Sequence, residues 1–143
     1  MSTSQLSTFS VDRYRFGIPV EAVQEVLRYQ PMTRVPLAPD AVGGLINLRG
    51  QVITAIDLRH RLGLPPRAAD ELPVNVVVRT PDGAVSLLVD RIDEVVHASS
   101  EDFEPPPDTV TGPSRELVLG AYKLPGHLLL ALDVPRAVDL ALA

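Results

Sequence analysis

Three sets of side chains in this 143-residue sequence carry enough chemistry to be weighed first. Asp90, Asp93 and Glu94, in "VDRIDEVV", form its densest carboxylate group. Two carboxylates work as general acid and base only when burial raises the pKa of one of them, and nothing in the flanking residues indicates that. His60, His97 and His127 stand alone, with no i, i+4 pair and no second ligand nearby, so a metal site is unsupported. "VGGL" and "LRG" lack the spacing and the following Lys-Ser/Thr of a phosphate-cradling loop. Serine nucleophile motifs are absent, and without cysteine there is neither a thiolate nor a disulfide. No catalytic residue, metal or cofactor is therefore assigned. What remains is binding chemistry. In "GGLINLRGQVITAIDLRHRLG" (43–63) two strand-like apolar runs are joined by Arg49-Gly50, which puts a guanidinium at a hairpin tip. Such a fork of donors suits carboxylates and backbone carbonyls on another molecule.

A tip arginine is useful only on a rigid support, and the sequence predicts one built mostly of strands. Hydrophobic residues make up 45% and aromatics only 4%, so the core must be aliphatic. The 14 prolines favour short strands and fixed loops over long helices. "FSVDRYRFGIPV" (9–20) alternates on either side of Asp12-Arg13 and reads as a hairpin. "VEAVQEVLRY" (20–29) fits either a helical stripe or a single turn passing into a strand. Hairpins follow at 45–57, at 74–96 around Pro81-Asp82-Gly83, and at 118–134 around Pro125-Gly126. Short helices are expected after residue 57 and from Pro135, with 66–72 as the linker and 99–117 as a long irregular segment.

The sequence also repeats itself. "VEAVQEVL" from Val20 lies over "VDRIDEVV" from Val89, a shift of 69. "GLINLRGQVITAIDL" from Gly44 lies over "GAYKLPGHLLLALDV" from Gly120, a shift of 76, and there Gly44, Leu48, Gly50, Ala55 and Asp57 meet Gly120, Leu124, Gly126, Ala131 and Asp133. Glycines and carboxylates in step point to duplication. Asp57 and Asp133 recur, which marks them as structural acceptors at strand ends. Arg49 does not recur: the second copy closes the same turn with Pro125, and Asn47 becomes Lys123. The turn needs its glycine, not its arginine.

"FGIPVEAVQEVL", "VGGLINLRGQVITAIDLRHRLGLP" and "LLVDRIDEVV" strongly resemble the CheW family, the coupling proteins of bacterial chemosensory arrays, over about Phe9 to Asp139. The resemblance implies a single CheW-like domain over 1–143. It would be mainly β, with two five-stranded SH3-like barrels on a shared apolar core and short helices, divided near residue 72 into halves 1–72 and 73–143. It implies a non-enzymatic adaptor that binds the cytoplasmic tip of methyl-accepting chemoreceptors and the regulatory domain of a CheA-type histidine kinase. Other CheW-like proteins would join it in rings. By position, Arg49 and Glu25 match the family's receptor-binding arginine and glutamate and Val23 a neighbouring apolar contact, and Val20 would add apolar area to the same receptor-binding groove. Val76, Val77 and Ile92 fall where the second barrel meets its partners. Glu25 could equally cap a turn or pair with Arg49, and the sequence leaves both open.

Net charge of −5 and the absence of a dense basic stretch oppose nucleic-acid and anionic-membrane binding. The N-terminus lacks a signal-peptide pattern and no apolar run approaches membrane-spanning length. The expected location is the cytoplasm, at receptor arrays. Two other readings compete with this one. One is a regulatory CheW-like domain cut from a longer kinase or adaptor–receiver fusion, against which Met1 and a finished C-terminal helix count. The other is a carboxylate-based hydrolase using Asp90 or Asp93.

Overall fold

The computed structural model describes residues 2–140. Eleven strands and three short helices follow one another: β1 (Thr3–Val11), β2 (Tyr14–Pro19), β3 (Val23–Leu27), β4 (Val42–Leu48), β5 (Gln51–Asp57), α1 (Leu58–Arg61), β6 (Val74–Thr80), β7 (Gly83–Val89), β8 (Arg91–Ser99), β9 (Phe103–Glu104), α2 (Pro113–Glu116), β10 (Val118–Leu124), β11 (His127–Leu132) and α3 (Val134–Val138). The ambiguous stretch at 20–27 is one 3-10 turn, Val20–Ala22, running straight into β3. Three valines in eight residues favour extended backbone over a helix.

The fold is mainly β, in two sheets. One runs β8-β1-β2-β11-β10-β9 and the other β3-β6-β7-β5-β4. This overturns a division of barrels near residue 72: the five-stranded sheet is made entirely of 23–89, and the other combines the N-terminal hairpin with the strands after residue 90. The duplication is present, but the copies exchange hairpins. With β1, β2, β3, β4 and β5 set over β6, β7, β8, β10 and β11, both sheets have the same order. Even the registers agree. Val26↔Val76 becomes Val95↔Ser7, and Ala55↔Ser86 becomes Ala131↔Gly17. Bulges recur in step, between Val42 and Gly44 and between Val118 and Gly120.

The exchange gives the halves a common interior. Its main cluster joins Phe9, Phe16, Ile18, Leu130 and Leu132 of one sheet to Ile56, Val76, Val78, Leu87 and Val89 of the other. Phe9 and Phe16, opposite one another on β1 and β2, stack with ring centroids 5.9 Å apart. Each sheet also holds a small cluster of its own. One is Ile46, Ile53, Ala55, Val77 and Leu88; the other is Leu6, Ala98 and Leu129. The two sheets thus bury their largest apolar cluster against each other.

The recurring residues have identifiable work. Asp57 Oδ1 accepts a hydrogen bond from Arg59 N (3.1 Å) at the start of α1, and Asp133 Oδ1 from Arg136 N (3.2 Å) at the start of α3. Gly44 and Gly120 admit a neighbouring segment: a Cβ on Gly44 would lie 2.9 Å from Thr33 O, and one on Gly120 would lie 2.5 Å from Glu104 O.

Candidate partner-binding surface

Arg49 and Gly50 are the two central residues of the β4–β5 hairpin, flanked by the pair Leu48↔Gln51. Both have positive φ, 52° and 86°, as a two-residue turn matched to strand twist requires. Asn47 Oδ1 accepts from Gly50 N at 2.9 Å and so supports the turn. For an arginine the left-handed conformation costs about 1 kcal/mol. The equivalent β10–β11 turn avoids this cost: proline presets the first position and Gly126 (φ 82°) takes the second.

The Arg49 side chain reaches across to Glu25 on β3. Arg49 Nη1 donates to Glu25 Oε1 at 3.2 Å, and Nη2 donates to Oε2. Since β3 and β4 are the two edges of the five-stranded sheet, this fork-to-fork pair bridges the seam between its first and last strands. The pair is at the surface, with the Arg49 side chain 69% exposed and that of Glu25 20%. An ion pair so placed contributes only about 0.2–1 kcal/mol. Of the two arrangements the sequence left open, the chain alone adopts the internal pair, with most of the guanidinium still facing outward.

The other expected contact residues divide by burial. Val20, Val23 and Ile92 are half-buried, Val23 and Ile92 against the common core. Val76 and Val77 are both 0% exposed. They lie on β6, paired on both sides by β3 and β7, so their side chains cannot form a contact surface: a correction to the expectation for these two. Alternation on β3 turns Val23, Glu25 and Leu27 one way and leaves Gln24 and Val26 exposed. Val26 (40% exposed) and Val52 (63%) are apolar residues near Glu25 and Arg49 that the sequence reading passed over. An aliphatic residue out of phase with its strand was the available signal.

The carboxylate group is structural. Asp90 lies where β7 passes into β8 and gathers three parts of the chain. Arg59 Nη2 approaches its Oδ2 to 2.7 Å, Arg67 Nε its Oδ1 to 2.8 Å, and Asp12 N donates to Oδ2 at 2.6 Å. Burial pushes the Asp90 carboxyl up, but the Arg59 hydrogen bonds, the Asp12 N–H and the Arg67 charge outweigh it and hold its pKa below the usual carboxylate range. The same hydrogen bond raises the pKa of Arg59. A general acid needs the opposite shift. Arg67, in the segment expected to be a free linker, is pinned here with its side chain 8% exposed. Arg61 is another buried charge; it donates to Arg136 O (2.6 Å) and Ala137 O (3.1 Å) of α3 and ties the two pseudo-equivalent helices together. Among the described residues no group of three His, Cys, Asp or Glu could hold a metal ion, and no helix is long and apolar enough to cross a membrane.

Comparison with known proteins agrees with this architecture. The crystal structure of the scaffolding protein TtCheW from Thermoanaerobacter tengcongensis superimposes with a TM-score of 0.86 at 27% sequence identity, over 97% of this chain and 94% of that one. The chemotaxis protein CheW of Treponema pallidum is 32% identical over 136 residues, 92% of this chain and 80% of its own length. That of Rhizobium meliloti is 30% identical over 91% of this chain and 84% of its own. The CheW-like domain model matches residues 5–141. The chain therefore belongs to the CheW-like domain family, a family of chemotaxis scaffolds rather than enzymes.

Proposed function

We propose that this protein couples chemoreceptors to a CheA-type histidine kinase in the cytoplasm, and that the β3 edge with the Arg49 tip receives the receptor's cytoplasmic hairpin. One observation carries the reading. Arg49 holds a backbone conformation that glycine or asparagine adopts more cheaply, and its exposed ion pair returns too little to account for it. The surface is ready for an incoming partner. Val20 and Val23 offer half-buried apolar area, and the guanidinium already carries the orientation it needs. Binding requires the receptor to share or replace Glu25 as the acceptor. A second face of the same rigid body would take the kinase regulatory domain, so that each partner biases the placement of the other.

The test is co-sedimentation with receptor-bearing membranes, with and without the kinase. Arg49→Ala should lower receptor binding by about tenfold or more while thermal stability moves little. The charge-reversed double variant Arg49→Glu/Glu25→Arg restores an internal pair but inverts its polarity. It should remain defective if the receptor reads the guanidinium. Full binding by either variant would refute this role for Arg49.

A further inference from the structure

Two polar side chains are buried inside the five-stranded sheet. Asn75 on β6 and Ser86 on β7 lie on the face they share with Val77 and Leu88. Ser86 Oγ donates to Asn75 Oδ1 at 2.8 Å, and Asn75 Nδ2 donates to Arg28 O at 3.2 Å. The pair thus holds the carbonyl at which the chain leaves β3, one residue past the last ladder pair, Leu27↔Asn75. From Arg28 the chain crosses to the opposite edge of the sheet, where Thr33 and Leu45 of β4 exchange backbone hydrogen bonds of 2.8 Å in each direction. The 28–33 crossing and the Arg49–Glu25 ion pair are therefore two bridges between the same two edges.

The internal repeat shows that the scaffold does not require this pair. A shift of 69 carries Asn75 and Ser86 onto Leu6 and Gly17, and Leu6 packs in an apolar cluster with Ala98 and Leu129. The other sheet fastens its own edge strand at a different point, with the Thr8 hydroxyl donating to Glu94 O. Replacing both partners of a buried hydrogen bond by apolar groups of matching shape can be nearly neutral, so net stability does not account for the pair. What it supplies is direction: a hydrogen bond fixes where one carbonyl points, and an apolar contact does not. We infer that Asn75, oriented by Ser86, is a positioning residue for the partner-binding edge. By fixing the end of β3 it sets the place of Glu25 against the Arg49 tip. The inference rests on the receptor reading of that edge, and its structural half is measurable without a receptor.

Asn75→Leu/Ser86→Gly installs the residues of the other sheet, so the melting temperature should move by only a few degrees. Amide hydrogen exchange in β3 and the 28–33 crossing should quicken about tenfold while β5 keeps its protection. Binding to receptor-bearing membranes should fall about fivefold. Ser86→Ala, which removes only the orienting hydroxyl, should give a smaller version of the same pattern. Exchange that stays unchanged at β3, or quickens equally in β5, would overturn the positioning role. So would full receptor binding by the double variant where Arg49→Ala is defective. Full binding by both would refute the receptor reading instead, and the exchange measurement would still decide what Asn75 holds.

Discussion

The two copies of the folding unit agree at a set of structural positions and part company at their tips and flanks. Gly44 and Gly120 admit a crossing segment, Asp57 and Asp133 cap equivalent helices, and Ile53 and Leu129 fill equivalent clusters. The tips differ: Arg49-Gly50 on one hairpin, Pro125-Gly126 on the other. So do the flanks beside the helices. Asp90, Arg59 and Asp12 form an ionic knot in one flank. Their equivalents are Glu21, Pro135 and Pro81, and the two prolines line a groove of about 720 Å³ that mixes Ala22, Val85, Val134 and Val138 with Arg79, Asp82 and Asp139. Shared positions are those a duplicated fold needs. Unshared ones are free to carry function or to lock one half onto the other, and mutation tells the two apart.

The largest expected effect is at the knot. Asp90→Asn leaves Arg59 and Arg67 without their shared counter-charge in a site where the Asp90 side chain is 17% exposed, and should cost about 3 kcal/mol in chemical denaturation at neutral pH. Glu21→Gln, at the exposed equivalent position, should cost less than about 0.5 kcal/mol. The pH dependence has a definite sign. Because the folded-state pKa of Asp90 is depressed, its contribution is complete above the unfolded value of about 4 and disappears as pH falls through the lower folded value. The wild-type protein should thus lose stability in acid that Asp90→Asn has already lost. Equal effects of the two substitutions would mean that the knot is not what distinguishes the flanks.

Next in size are the shared glycines. A Cβ on Gly120 would meet the Phe103 ring at 2.4 Å as well as the Glu104 carbonyl, so Gly120→Ala should destabilise by about 2 kcal/mol. Gly44→Ala, against the Thr33 carbonyl, should do the same. A neutral result at one and a large one at the other would break the equivalence of the two halves.

Much of this was legible before any coordinates, because it rests on local rules. The hairpins at 45–57 and 118–134, the capping aspartates and the repeat all follow from period-two alternation and turn chemistry. The exchange of hairpins was not legible. Repeat spacing reveals that two units exist, but the choice between pairing β1 with β3 or with β8 depends on packing between residues some 90 positions apart. Burial of Val76 and Val77 was missed for the same reason: "VNVVV" reads alike for an edge strand and for a central one, and only its neighbours β3 and β7 decide. Arg67 looked like part of a polar linker because nothing in "PRAADEL" announces that Asp90 waits beneath it.

The smallest expected effect is the most direct test of what the tips are for. Arg49→Asn removes a surface ion pair of about 0.2–1 kcal/mol but installs a residue that tolerates positive φ. The relief of about 1 kcal/mol at least matches the loss, so stability should hold or rise slightly. Pro125→Ala at the other tip has no compensation. It frees the unfolded chain without improving the turn, and should cost about 0.4–1 kcal/mol. The proline tip would then be the one that serves folding, and the arginine tip the one that folding can spare. A clear stability loss from Arg49→Asn, larger than that from Pro125→Ala, would reverse the assignment and make the Arg49–Glu25 bridge the seam that holds the sheet edges together.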